Sequence, residues 1–332
     1  MSKTPAETGE ERLIAKYFAP LAKYPGALGL LDDAATLTPP AGSDLVLTKD
    51  AIVGGVHFFP DDPADAVARK ALRVNLSDLA AKGATAAGFL LALALPKSVT
   101  AGWLKAFARG LGEDAENYAC PLLGGDTVQT PGPLTVSITA LGFLPHGEMV
   151  QRHGGSPGDR IVVTGTIGDA ALGLKLLSGA KAAQRWKLDK NMRAHLLGRY
   201  RLPQPRTAVA VMLRKHASAA MDVSDGLAGD LAKLCRVSGV GADIDVTRLP
   251  LSDAARRVLA VQPALIETIL SGGDDYEIVC AVSDSDAFIA DAAALGVKAT
   301  EIGRMTAGEG APRFIGADGK ALSLRKTLFS HF

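Results

Sequence analysis

Ala220-Met221-Asp222-Val223-Ser224-Asp225-Gly226-Leu227-Ala228-Gly229-Asp230-Leu231 reads as a short strand that stops at a polar turn and starts a helix. Side chains of an extended strand alternate with period two, so Asp222 and Ser224 point to the same side. Asp225 stands where an N-cap would, ahead of the helical run Leu227, Leu231, Leu234. Two carboxylates and a hydroxyl thus converge at the C-terminal end of a strand, where α/β proteins bind ligands. Taken alone, the stretch is equally well explained as a capped helix beside a solvated turn.

Acidic companions elsewhere shift that balance. Asp33 lies in Leu31-Asp32-Asp33-Ala34-Ala35, Asp50 ends Leu47-Thr48-Lys49-Asp50, and Asp126 ends Leu123-Gly124-Gly125-Asp126. All three read as strand exits or turns. Asp78 differs, lying within the helical run Pro63 to Lys82, where Asn75 and Asp78 share a face. If several of these carboxylates meet, like charges 4 Å apart repel by about 4 kcal/mol at an effective dielectric of 20. Such a cluster requires cations, and oxygen-only ligands suit Mg²⁺ held together with substrate phosphates. Gly124 and Gly125 read as a flexible turn whose backbone can approach a phosphate closely.

The remainder of the chain sets the frame. Its 332 residues, 48% of them hydrophobic, are enough for two domains with large cores. A net charge of +1 without a basic block argues against nucleic acid as a partner. Cys120, Cys235 and Cys280 stand far apart with no CxxC, which fits a reducing cytoplasm. The longest apolar run, Ala84 to Pro96, is too short to span a bilayer, and no secretion signal is visible. Periodicity predicts helices over Glu10 to Tyr24, Ala101 to Asn117, Ala170 to Leu177, Thr207 to His216, Ser252 to Val261 and Ala287 to Leu295. It predicts strands over Leu45 to Thr48, Phe89 to Leu95, Leu134 to Leu144, Ile161 to Thr164, Ala242 to Val246 and Ala299 to Ile302. This alternation favours two α/β or α+β domains. The turn Gly165-Thr166-Ile167-Gly168-Asp169 lacks the G-x-G-x-x-G spacing, and no GxxxxGK[ST] occurs, so neither a Rossmann site nor a Walker loop is read.

LRVNLSDLAAKGA (72–84), LLGGDT (122–127), MDVSDGL (221–227) and SGGDDYEI (271–278), in that order, resemble the thiamine-monophosphate kinase family. That family belongs with the aminoimidazole ribonucleotide and selenophosphate synthetases, and the likeness runs over nearly the whole chain. The resemblance implies an N-terminal sheet-and-helix domain, residues 1–148, that binds ATP and Mg²⁺ and dimerises through its sheet into a barrel. It also implies a C-terminal α/β domain, residues 149–332. The implied reaction is phosphorylation of thiamine monophosphate by ATP to give thiamine diphosphate.

Carried onto this sequence, the resemblance makes Asp33, Thr48, Asp50, Asp78, Asp126, Asp222 and Asp225 the metal ligands, with Asp78, Asp126 and Asp222 central to catalysis. Gly125, Asp126, Arg152 and Ser224 become contacts to ATP, and His57, Asp274 and Phe329 contacts to the acceptor. From the residues alone, His57 beside apolar neighbours reads more readily as a packed side chain. Three departures stand out: Lys49 where a hydroxyl residue is usual, Asp274 in place of Glu, and Phe329 in place of Tyr. A selenophosphate synthetase would carry a reactive Cys near its N-terminus, whereas the first here is Cys120. A non-catalytic scaffold would have lost acidic ligands, and none is missing.

Overall fold

A computed structural model describes residues 9–179 and 181–325, with backbone only at 182. Two compact units divide the chain. One runs through Leu79 and includes Thr85–His146; the other combines Ala80–Ala84 with the chain from Gly147 onward.

The first unit opens with α1 (Gly9–Leu13), which widens into a π-type turn over Ile14–Phe18 and tightens to a 3₁₀ turn over Ala19–Leu21. The single amphipathic helix expected there is therefore broken up, and Pro20, which has no N–H to donate, lies in its last turn. Then come β1 (Ser43–Val53), α2 (Ala64–Ala81), β2 (Thr85–Leu95), α3 (Ala101–Asn117), β3 (Leu122–Gln129) and β4 (Thr135–Pro145). The sheet order is β1-β4-β2-β3, with β2 and β3 parallel and the other pairs antiparallel. α3 starts where it does because Thr100 Oγ1 accepts the N–H of Trp103 at 3.1 Å. Strand β4 alternates strictly: Val136, Ile138, Ala140, Gly142 and Leu144 are buried and the residues between them are only partly covered. One face of this sheet is thus core. On the other face Leu45, Leu47 and Leu90 stay 43%, 61% and 41% exposed.

The second unit holds β5 (Arg160–Thr164), α4 (Asp169–Leu177), α5 (Lys190–Arg201), α6 (Ala210–His216) and β6 (Ala217–Asp222). It continues with α7 (Leu227–Ser238), β7 (Gly241–Asp245), α8 (Asp253–Val261), α9 (Ile266–Ser271) and β8 (Ile278–Val282). It ends with α10 (Ser285–Ala294), β9 (Ala299–Thr306) and β10 (Arg313–Ile315). The six strands run β10-β7-β9-β5-β8-β6. All five residues of β8 are buried, as a strand covered on both faces requires. Ile161, Val163, Leu231 and Trp186 belong to the core on one face, and Val162, Cys280, Leu213 and Phe288 to the core on the other. The mixed α/β class with two sheets agrees with the reading of the sequence. Among the described residues no helix is long and apolar enough to cross a membrane.

Candidate active site

In the first unit the alternation of β1 turns Val46, Thr48, Asp50 and Ile52 to one face and Leu45, Leu47, Lys49 and Ala51 to the other. On the first of these faces Thr48 donates its hydroxyl to Asp78 Oδ2 at 2.5 Å. One turn back on α2, fully buried Asn75 accepts the N–H of Asp50 at 3.1 Å and donates to Ala71 O at 3.0 Å. Asn75 is therefore a structural pin between helix and strand, and it places Asp78 beside Thr48 and Asp50. Lys49 lies on the opposite, exposed face with Leu45 and Leu47. The family's usual hydroxyl position at 49 thus points away from the oxygen group, and the Lys49 ammonium does not enter it.

A second group surrounds a cavity of about 710 Å³. Asp32, Asp33, Gly124, Gly125, Asp126 and Thr127 supply its polar wall, and Phe18, Leu90, Leu91 and Leu122 are among the apolar ones. Here the sequence reading needs correction. Gly124, Gly125 and Asp126 form no turn; they lie inside β3. Gly125 is needed because a Cβ there would sit 1.9 Å from Leu91 O of the paired strand. Asp50 likewise lies within β1 and not at its exit. Both strands are edges of the sheet. Asp50, Ile138, Leu91 and Gly125 share one cross-strand row, so Asp50 stands about 14 Å, three strand spacings, from Gly125, the residue before Asp126. The expected cage is thus divided, with Thr48, Asp50 and Asp78 on one edge and Asp33 and Asp126 on the other.

His57 is anchored within the same unit. Its Nδ1 accepts the N–H of Val53 at 3.0 Å, which leaves the ring proton on Nε2, and its carbonyl accepts Lys70 Nζ at 2.9 Å.

In the second unit the motifs 221–227 and 271–278 are stitched together by backbone hydrogen bonds. Val223 N–H donates to Glu277 O at 2.7 Å, Tyr276 N–H to Val223 O at 2.8 Å, and Asp274 N–H to Ser224 O at 2.8 Å. Asp274 and Tyr276 adopt φ of +74° and +50°, left-handed values that cost energy for residues with a Cβ. Around this turn lies a buried network. Glu277 accepts Arg199 Nη2 at 2.8 Å, Arg206 Nε at 2.6 Å and Thr164 Oγ1 at 2.8 Å. Asp275 accepts the N–H groups of Gly168 at 2.6 Å and Ala170 at 3.3 Å, so an internal carboxylate occupies the N-terminus of α4. Full burial pushes the Asp275 carboxyl well above its ordinary value, against the pull of Gly168 N–H.

Asp225 is not the cap of α7; Gly226 holds that position with no side-chain cap. Buried Asp230, one turn into the helix, reaches back and accepts the N–H groups of Ser224 at 3.0 Å and Asp225 at 2.9 Å. Lys233 bridges Asp225 at 2.5 Å and Asp230 at 2.8 Å. Burial pulls the Lys233 ammonium down, but its two carboxylate partners outweigh that and hold it above its ordinary value. Asp222 is buried at the end of β6, Ser224 is half-buried, and Arg152 is exposed. A further buried cluster joins three helices, where Asp169 meets His195 Nε2 at 2.9 Å, Thr166 Oγ1 at 2.6 Å and the Ser252 hydroxyl. Phe329 falls outside the described residues.

Asn75, paired with Asp78 on one helix face in the sequence, is indeed buried, whereas Asp32, Asp230, Lys233, Asp275, Glu277, Arg199 and Arg206 were not singled out by the sequence as parts of a site. Asp230 had a signal, since it lies three residues from Leu227 and so on the helix's apolar face, where an acid must be partnered. Among the described residues no three His, Cys, Asp or Glu side chains gather closely enough to hold a metal ion by themselves. The donors present are nonetheless all oxygens, carboxylates with one hydroxyl. They suit a hard cation that keeps water and substrate phosphate in its shell.

Two domain models of the AIR synthase related proteins match the chain, the N-terminal one over residues 31–144 and the C-terminal one over 156–314. The thiamine-monophosphate kinase of Caulobacter vibrioides is 48% identical over 303 residues, 90% of this chain and 84% of that one. The crystal structure of thiamine-monophosphate kinase from Stenotrophomonas maltophilia is similar with a TM-score of 0.81 and 38% identity, covering 94% of this chain and 96% of the other. AaThiL, complexed with AMPPCP and TMP, is similar with a TM-score of 0.76 and 29% identity, covering 92% and 97%.

Proposed function

The chain belongs to the thiamine-monophosphate kinase family of AIR synthase related proteins, and from that premise we propose that it transfers the γ-phosphoryl group of ATP in line onto the phosphate of thiamine monophosphate at an aspartate-rich Mg²⁺ site. The P–O bond to ADP breaks and a P–O bond to an oxygen of the acceptor phosphate forms, giving thiamine diphosphate and ADP. The observation that carries this reading is likeness over 92% of the chain to a structure complexed with AMPPCP and TMP.

The acceptor is a phosphate monoester whose second pKa, about 6, leaves it largely dianionic at neutral pH. No general base is required. Two polyanions must instead be neutralised and aligned. Mg²⁺, when bound, supplies positive charge shared by the phosphate oxygens of both substrates. Asp33, Thr48, Asp50, Asp78, Asp126, Asp222 and Asp225 are the residues that would hold several such ions, with Thr48, Asp50 and Asp78 on one edge of the first unit's sheet and Asp33 and Asp126 on the other. Asp225 would exchange the Lys233 ammonium for a metal ion to do so. We assign Gly125, Arg152 and Ser224 to the ATP phosphates, and His57, Asp274 and Phe329 to the acceptor. The left-handed backbone at Asp274 supports that assignment, because strain of this kind concentrates where a side chain must be aimed.

One experiment tests the assignment. Purified protein with ATP, Mg²⁺ and thiamine monophosphate should yield the diphosphate, followed chromatographically. In the same assay Asp274→Ala should raise KM for thiamine monophosphate about 10- to 100-fold, the loss of a charge-assisted hydrogen bond. KM for ATP should not change. Absence of diphosphate overturns the function, and equal weakening of both substrates removes Asp274 from the acceptor site.

The same reading makes the protein a homodimer. Leu45, Leu47 and Leu90 leave an apolar sheet face open in the first unit, and a second copy is the occupant that would cover it. Sedimentation at micromolar concentration should give twice the chain mass, and an active monomer would refute the pairing. Cys120, Cys235 and Cys280 are free and buried, which supports a reducing compartment such as the cytoplasm.

A further inference from the structure

On the six-stranded sheet of the second unit, register sets four charged residues in one row across four strands. Arg160 of β5 faces Arg304 of β9, Arg304 faces Asp243 of β7, and Asp243 faces Arg313 of β10. The arrangement is unbalanced. Arg313 takes both oxygens of Asp243, through Nε to Oδ1 at 2.7 Å and Nη2 to Oδ2 at 2.7 Å. That leaves two arginines directly opposed, and like charges opposed across strands destabilise a sheet.

The surroundings do not correct the imbalance. Arg160, Asp243, Thr247, Arg248, Glu301 and Arg304 lie around a groove of about 540 Å³. Of its other carboxylates, Glu301 is bound to Arg248 at 2.9 Å and to the Ser285 hydroxyl. Asp245 accepts the N–H of Thr247 at 2.9 Å and its hydroxyl at 2.6 Å. Burial pushes the Glu301 carboxyl up, Ser285 and Arg248 pull it below its ordinary value, and Arg160 adds the last and smallest pull. Among the described residues neither Arg160 nor Arg304 makes an ion pair or a side-chain hydrogen bond. Both are exposed at the groove. Two unpartnered guanidiniums side by side in a concavity present forked donors to an oxyanion with several oxygens.

We propose that this groove is a second anion site, taking a phosphate- or diphosphate-bearing small molecule whose oxygens bridge Arg160 and Arg304. None of its residues belongs to the phosphoryl-transfer machinery assigned above, so the site stands or falls independently of that assignment. A site that keeps two like charges together for a ligand trades stability for binding. Removing either charge should therefore move stability and binding in opposite directions.

The test uses the full chain with inorganic pyrophosphate and, separately, ADP, by calorimetric titration and thermal melting. The comparison is between wild type, Arg160→Gln and Arg304→Gln. Each variant should melt about 1–3 °C higher than wild type without ligand, because the repulsion is gone. Each should bind ADP, or ADP and pyrophosphate alike, at least about tenfold more weakly at one of the wild-type sites, with turnover unchanged. Equal losses for both probes would mean that the diphosphate itself is read, and a loss for ADP alone that the nucleotide is. Either pattern supports the site. Variants that bind both probes as wild type does would overturn it, whatever their melting temperatures.

Discussion

Asp126→Asn and Asp78→Asn will each lower turnover by about 10²- to 10³-fold at saturating Mg²⁺ while leaving the fold intact. The magnitude is that of losing one preorganised charge from phosphoryl-transfer electrostatics. The fold should survive for a different local reason in each case. An asparagine at 78 keeps an oxygen able to accept the Thr48 hydroxyl, and Asp126 is exposed on an edge strand. Asp78 and Asp126 belong to oxygen groups on opposite edges of the sheet. If both groups serve one reaction, both substitutions depress turnover. Circular dichroism and a melting curve establish folding, and single-turnover rates give the loss. Near-normal rates in both variants would remove the metal from its assigned ligands. A loss in only one would leave a single edge of the sheet in the chemistry.

What the sequence disclosed and what it hid follow from the range of the interactions. The start of α3 was legible because it is set locally, by Thr100 capping the Trp103 N–H. Strand β4 was legible because half its side chains enter a core and half do not. The Gly-Gly-Asp at 124–126 was misread as a turn because glycine's local preference pointed that way. Its actual use, close approach to Leu91 of the neighbouring strand, depends on a pairing that no local pattern records. Asp225 looked like a cap by position, but Lys233, two turns along the same helix, claims its carboxylate and Asp230 satisfies the loop amides. The acidic residues were individually visible as candidates. Their division into Thr48, Asp50 and Asp78 on one edge and Asp33 and Asp126 on the other was not, because strand order is a long-range property.

Glu277→Ala should destabilise the second unit by about 3–5 kcal/mol, lowering its melting temperature by roughly 6–20 °C. Glu277 has no exposed side-chain surface and is the shared anion of Arg199 and Arg206, whose side chains are 8% and 21% exposed. Its removal strands two guanidiniums, and Arg206, nearer to water, recovers part of its hydration, which places the loss toward the lower end of that range. The network has little slack, since Arg199 Nε is already buried without a partner among the described residues. Glu277→Gln keeps the shape and loses the charge, so it should fall between wild type and the alanine variant. The same carboxylate also explains Gly165, where a Cβ would lie 2.0 Å from Glu277 Oε1, so Gly165→Ala should be damaging through the same atoms. A loss below about 1 kcal/mol in Glu277→Ala would mean that the arginines relax to solvent and that the ion network does not hold the turn. A loss of the expected size, with KM for thiamine monophosphate raised in the milder Glu277→Gln variant, would tie the left-handed backbone at Asp274 and Tyr276 to the buried charges beneath it. Backbone strain at a binding turn persists only while its surroundings enforce it, and in this chain the enforcing groups are one glutamate and two arginines more than 70 residues away in sequence.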